Sequence, residues 1–343
     1  MRKVLVFLLK LALVAACVLY AVWGADFAAL TRAVAGYSPW RVGLIILYMV
    51  AILGVPGLRL RYLCGPGLSV YAGAKATALG LGLNNVFPAK LGEVAKAAYL
   101  SRHCGFSAAK GLGLVFWERF FDVNLIFCLA AVSLGAASSR LPIWPGLAAV
   151  GCAWLVIGAL RVWPGLGTAL LRLVPFERLR LFASELLHQL GAKLSLGFFA
   201  RLAVLTILVW ATYFLSQYLV LAWLADLPLA PGQILAVFVI GALGMAVPSS
   251  PGAIGVFEAS IVFGLGLFGV PKGPALAAAL VLHMIQVVPT TLCGLLVMAR
   301  SGLRPGALRS VDDAADDVAD DMEDGDGGGE SGGENRQANR EEA

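Results

Sequence analysis

Charge is scarce in this sequence, and acidic charge scarcer still. Asp, Glu, Lys and Arg make up 14% of the 343 residues, and hydrophobic residues make up 59%. Soluble domains carry about 25% charged residues, so an ordinary soluble fold is excluded. Cysteine is also sparse. Cys17, Cys64, Cys104, Cys128, Cys152 and Cys293 show no C-x-x-C spacing, which indicates neither a disulfide framework nor a metal site. Most fall in apolar segments, where cysteine acts as a small hydrophobe. His103, His188 and His283 lie too far apart in sequence to suggest a ligand set. No G-x-x-x-x-G-K-[ST] motif occurs, which argues against a nucleotide-driven pump. No cofactor and no nucleic-acid partner is implied.

What the chain has instead is long apolar runs. Runs of about 17–25 residues recur, each able to cross ~30 Å of hydrocarbon. The clear ones are about 4–23, 40–58, 111–138, 146–163, 201–224 and 275–299. The expected fold is all-α, a polytopic integral membrane protein with about six full spans. The first run is too long for a signal peptide and has no clear A-x-A site behind it; it reads as a membrane helix with Lys10 inside it. Residues of about 172–197 mix Arg, Glu, Leu and Phe at helical spacing, as an amphipathic surface helix does. Residues 1–300 therefore read as one transmembrane domain. Residues 301–343 read as a disordered acidic tail: from 311 onward there are thirteen acids against two bases and almost no large apolar side chains.

Two segments are neither loops nor clean spans. Residues of about 71–100 contain "LGLNNVFPAKLGE", and residues of about 232–270 contain "LGMAVPSSPGAIGVFE". Each has an apolar first limb, a Gly/Pro break and a second limb carrying a Glu. Each begins Leu-Gly, at Leu81 and Leu243. Each reaches a Pro with a Gly four positions later, Pro88 to Gly92 and Pro248 to Gly252. Irregular backbone at membrane depth is tolerated only where it is buried in protein or lines a wet cavity. Both segments are therefore expected to be broken re-entrant hairpins, entering from opposite sides as an inverted repeat would. With the N-terminus in the cytoplasm, sixteen basic residues, among them Arg59, Arg61, Lys75, Arg102 and Arg300, fall on the cytoplasmic side. Four, Arg32, Arg41, Arg140 and Lys272, fall on the other. Both termini are then cytoplasmic, and the location is a plasma (inner) membrane.

Only eight acids occur before residue 311, and four of them, Glu93, Glu118, Asp122 and Glu258, lie in or beside the broken segments. Ionisable groups at membrane depth cost at least about 2.5–3.5 kcal/mol each on insertion scales. They persist when paired or functional. Glu118 and Asp122 are four apart on one helical face, so a cation should bridge them or one should be protonated; Lys90 and Lys96 are the candidate cations. Arg119 points about 100° away on a helix. Pro88 suits the first turn of a new helix, whose N-terminal N–H groups favour a phosphate or carboxylate. Lys90, Asn84 and Asn85 would add charge and donors on one side, and Ser249, Ser250, Gly252 and Gly255 on the other. The alternative reading of the charges is a structural ion-pair cluster that ties helices together.

Three ordered motifs, "NNVFPAKLGE", "ERFFD" and "VPSSPGAIGVFE", together resemble the lysylphosphatidylglycerol synthase transmembrane-region family, also called flippase-like membrane proteins. The resemblance spans about 1–300 and rests on Asn84 or Asn85, Pro88, Gly92 and Glu93, on Glu118, Arg119 and Asp122, and on Pro248, Ser250, Pro251, Gly252, Gly255 and Glu258. Ala253 stands where the family usually has Gly, and Lys90 where Arg is common. In bifunctional members this region is joined to a soluble aminoacyl-transferase domain and is thought to move the modified lipid. After residue 300 only the acidic tail follows here, so lipid aminoacylation is not expected of this chain.

The resemblance implies a non-enzymatic lipid flippase or transporter that binds anionic phospho- or glycolipid headgroups in a central polar cavity. The substrate-binding set would be Asn84, Asn85, Pro88, Lys90, Gly92, Glu93, Lys96, Glu118, Arg119, Asp122, Ser249, Ser250, Gly252, Gly255 and Glu258. The competing readings are a polyprenyl-phosphate-dependent transferase and a membrane anchor for a soluble lipid-modifying enzyme. Partners implied are membrane lipids, a second copy of the chain, or such an enzyme.

Overall fold

The structure is a computed structural model. It describes residues 2–87, 91–106, 108–137, 144–172, 196–247 and 250–301, with positions 180, 183, 184 and 187. Pro88, Lys90, Pro248, Ser249, most of the expected surface helix and the acidic tail from 302 lie outside the described residues.

Every regular element among the described residues is helical: α1 Arg2–Val22, α2 Phe27–Ala35, α3 Pro39–Ala51, α4 Gly54–Cys64, α5 Val70–Val86, α6 Leu91–Cys104, α7 Ala108–Ala137, α8 Trp144–Val162, α9 Pro164–Arg172, α10 Leu196–Tyr218, α11 Pro231–Ala246, α12 Val256–Gly266 and α13 Lys272–Ser301. A π-helical stretch, Leu219–Leu224, continues α10. Local chemistry starts several of these. The Asp26 carboxylate accepts from the Ala28 and Ala29 amides at 2.9 and 3.0 Å, the Ser69 hydroxyl accepts from Ala72 N, and Pro39 and Pro231 open their helices.

Among the described residues three helices are long and apolar enough to cross a membrane: Pro39–Cys64, Leu196–Leu224 and Lys272–Ser301, with 26, 29 and 30 residues. At 1.5 Å per residue they reach roughly 39–45 Å. Two helix pairs, Leu11–Val22 with Phe27–Ala35 and Gly146–Val162 with Gly165–Arg172, are bent by 81° and 109°, and the total is five when each pair is counted as one span. α7 is also 30 residues long but carries Glu118, Arg119 and Asp122. The first of the three long helices corrects an expectation. Its span was expected to end at about 58, with Arg59 and Arg61 as a cytoplasmic flank. The helix instead runs on to Cys64, and Arg59 is inside the fold.

Both segments expected to be interrupted are helix–break–helix hairpins. α5 and α6 pack antiparallel, with Gly80 opposite Gly92 and Lys96. α11 and α12 do likewise, with Gly241 against Ile261 and Gly244 against Ser260. At 17, 14, 16 and 11 residues, the four limbs are each shorter than the ~30 Å of a full crossing. The two breaks meet: Gly252 sits against the Asn85 backbone.

α13 joins the two halves. Its first part, with Ala275, Ala279, Leu282 and Ile285, belongs to an apolar core shared with α3, α11 and α12. Its last part, with Leu295, Val297 and Met298, packs on the core of α4, α5 and α6. Gly82 and Gly294 bring α5 and α13 into backbone contact; a Cβ on Gly294 would lie 2.4 Å from Ala78 O. Small residues at such crossings are how helices associate where lipid supplies no hydrophobic drive. The outward face of α13 is an apolar stripe with a residue every four positions, Leu280, Met284, Val288, Leu292 and Leu296, all exposed, as a lipid-facing surface requires.

Candidate functional site

Six charged side chains gather where α4, α6 and α7 meet. Arg59 Nη2 bonds Glu118 Oε1 at 2.6 Å, and Nη1 bonds Asp122 Oδ1 at 2.5 Å. Lys96 Nζ bonds the other Glu118 oxygen. Trp210 Nε1 donates to Asp122 Oδ1 at 2.9 Å, which ties in α10. Arg59, Lys96, Glu118 and Asp122 are all buried, with side chains 1–8% exposed. Buried charges are tolerated only when paired and hydrogen-bonded, and these are. With Arg119 and Glu93 the group holds three cations and three carboxylates, so its net charge is zero.

Arg119 is the exception in exposure. Its guanidinium reaches Glu93 Oε1 at 3.2 Å and Asp122 Oδ2 at 3.3 Å, yet its side chain remains 47% exposed. Phe116 and Val123 on the same helix face are 38% and 51% exposed, so a stripe of α7 borders open space. Beside it is the end of the first break. Asn84 Oδ1 accepts from Gly92 N at 2.9 Å, and its Nδ2 lies 3.4 Å from Glu93 Oε1. Asn84 thereby closes α5 onto the start of α6 and positions Glu93. Glu93 Oε2 is buried without a hydrogen-bond partner among the described residues.

A second polar centre holds the other break. Glu258 Oε2 accepts from Gly255 N at 2.7 Å and begins α12. Glu258 Oε1 faces His283 Nδ1 at 2.6 Å, and His283 Nε2 faces Gly252 O at 2.9 Å. Both ring nitrogens are thereby engaged, which fixes the ring between the Glu258 carboxyl and the backbone of the break. Gly252 and Gly255 have φ of +63° and +86°, which glycine adopts without strain. A Cβ on Gly255 would also lie 2.8 Å from Val18 of α1. Across the tip contact, Asn85 Nδ2 donates to Thr290 and Thr291 on α13 at 3.2 and 3.0 Å. His283 and the two threonines stand on α13, so that helix fixes both breaks.

The family model for the lysylphosphatidylglycerol synthase transmembrane region matches residues 7–294, which includes every residue of both centres. The chain belongs to this family. Compared with curated proteins one by one, it matches none. As a member of it, the chain is a membrane protein of lipid metabolism or transport, built on the region that is the family's non-catalytic part.

Within this family member the expected site divides. Glu93, Lys96, Glu118, Arg119 and Asp122 come together, and Asn84 joins them. Glu258, Gly252 and Gly255 form the separate centre on His283. Pro88, Lys90 and Ser249 lie outside the described residues. Asn84 and Asn85 are not free donors, because their amides tie the first hairpin to itself and to α13. The Ser250 hydroxyl is likewise engaged, donating to Ile254 O at 2.7 Å. Lys96 does bridge toward Glu118 as expected. The cation between Glu118 and Asp122, however, is Arg59, which its proximity to Arg61 disguised as a flank. Arg119 leads away from Glu118 but joins Asp122 one turn on. Sequence gave one sign of Arg59's role: two carboxylates on α7 need more positive charge than Lys96 supplies.

Proposed function

We propose that this protein moves an anionic lipid across the membrane, with the headgroup passing the opening beside Arg119 while the acyl chains stay in the bilayer. The observation that carries this reading is the half-exposed side chain of Arg119, beside a hairpin break and in an otherwise largely buried ion cluster. An arginine facing hydrocarbon is costly, so an exposed one at this depth indicates a wet opening. Arginine offers five donors in a fixed fork, and its pairs with Glu93 and Asp122 leave some for a phosphate. Glu93 balances Arg119 when no headgroup is present and yields to it when one arrives. The buried Arg59, Lys96, Glu118 and Asp122 hold the walls. In this reading the two hairpins are re-entrant and dip from opposite leaflets as an inverted repeat, both termini face the cytoplasm, and the membrane is the inner one.

The test is reconstitution in vesicles containing fluorescent phosphatidylglycerol, with dithionite quenching to follow lipid crossing. Wild-type protein is expected to speed crossing, and Arg119→Gln to slow it at least about tenfold, the loss of a charge-assisted contact. Equal rates for the two proteins, or a wild-type rate no faster than empty vesicles, would overturn the reading.

A further inference from the structure

A cavity distinct from the ion cluster opens elsewhere among the described residues. It has a volume of about 1130 Å³ and lies at the opposite end of the first hairpin, between the start of α5, the end of α6, the α3–α4 junction and the end of α13. Its rim is basic. Lys75, Arg102, His103 and Arg300 line it, from three different helices, and no Asp or Glu does. Lys75, Arg102 and Arg300 have no carboxylate partner among the described residues. Lys75 Nζ rests over the Tyr71 ring at 4.3 Å. His103 stacks on Tyr99, to whose carbonyl its Nδ1 donates at 3.1 Å. Much of the remaining wall is apolar, with Val50, Leu53, Val70 and Leu296; Leu296 belongs to the exposed lipid-facing stripe of α13. Nine residues of α6 separate Arg102 from Glu93, roughly 13 Å along the helix.

We infer that this pocket is a binding site for a glycerophospholipid with a negatively charged headgroup, the cations holding its phosphate and the aliphatic wall its acyl chains. Cations without a carboxylate partner among the described residues, gathered around one hollow, favour a phosphate. The cavity is larger than a phosphate alone requires and opens beside the lipid-facing surface. The acidic tail 311–343 matches the rim in charge but has almost no apolar side chains to meet the wall. The site does not require transport: it holds lipid whether or not Arg119 passes one.

Full-length protein in detergent is titrated with dioleoylphosphatidylglycerol or dioleoylphosphatidylcholine, and bound lipid is counted by native mass spectrometry. The expected result is preferential retention of phosphatidylglycerol. The triple variant Lys75→Gln, Arg102→Gln, Arg300→Gln should weaken that retention at least about tenfold, whereas Arg32→Gln, at an exposed cation of α2 that does not line the pocket, should leave it intact. These three side chains lie at the rim, so the variant is expected to elute as wild type does in size exclusion. Equal retention of the two lipids, or a triple variant that binds like wild type, would overturn the proposal. So would displacement of the lipid by millimolar inorganic phosphate, which would make the site one for free anion. Retention that appears only after removal of 311–343 would mean that the tail fills the pocket in the whole chain, and would also overturn it.

Discussion

Arg59 and Arg119 belong to one cluster but do different work. Arg59 is buried between Glu118 and Asp122 and donates to both. Removing it leaves two carboxylates short of a partner in a dry place. Arg59→Met should therefore cost about 3–5 kcal/mol, the range for breaking a buried ion pair from one side. Arg119→Gln removes a half-exposed charge and should cost about 1 kcal/mol or less. Thermal unfolding of the two variants in one detergent checks this: Arg59→Met should melt far below wild type, and Arg119→Gln close to it. At this scale the sequence was legible in residue type and less so in pairing. Rare acids in an apolar chain marked Glu93, Glu118, Asp122 and Glu258 as important. Their partners Arg59 and His283 lie 59 and 25 residues away, and no local pattern points across such a distance.

Among the helices, the limbs of the first hairpin approach backbone to backbone at Gly80 and Gly92, whereas those of the second pack through side chains such as Ile261 and Ser260. At Gly92, facing α5, a Cβ would fall 1.9 Å from Gly80 O and 2.7 Å from Asn84 Oδ1. Neither neighbour can give way without parting the limbs or breaking the Asn84–Gly92 bond. Gly92→Ala should destabilise by about 1–3 kcal/mol, as overpacking does, and should increase protease cleavage near residues 87–91. A variant as stable and as resistant as wild type would contradict this packing. The breaks themselves were readable, because Pro and Gly cannot continue an apolar helix unnoticed. The end of α4 was misjudged for a physical reason: a pair of arginines after an apolar run looks like a membrane flank. Only the carboxylates of α7 make Arg59 an interior residue.

At the scale of the whole molecule, α13 carries the arrangement. It meets the first hairpin at Gly82 and Asn85 and the second at Glu258 and Gly252. The two breaks therefore touch near the middle of the fold. The account depends on the face of α7 at Arg119 opening to water there, while the stripe on α13 faces lipid. The direct measurement uses two cysteines in a cysteine-free background, Val123→Cys and Leu292→Cys, at positions 51% and 63% exposed. Each protein is reconstituted in vesicles and treated with a charged, water-soluble methanethiosulfonate. Val123→Cys should react readily and Leu292→Cys should remain unmodified. A Val123→Cys thiol as unreactive as that of Leu292→Cys would mean that Arg119 borders no water, and the account would fail.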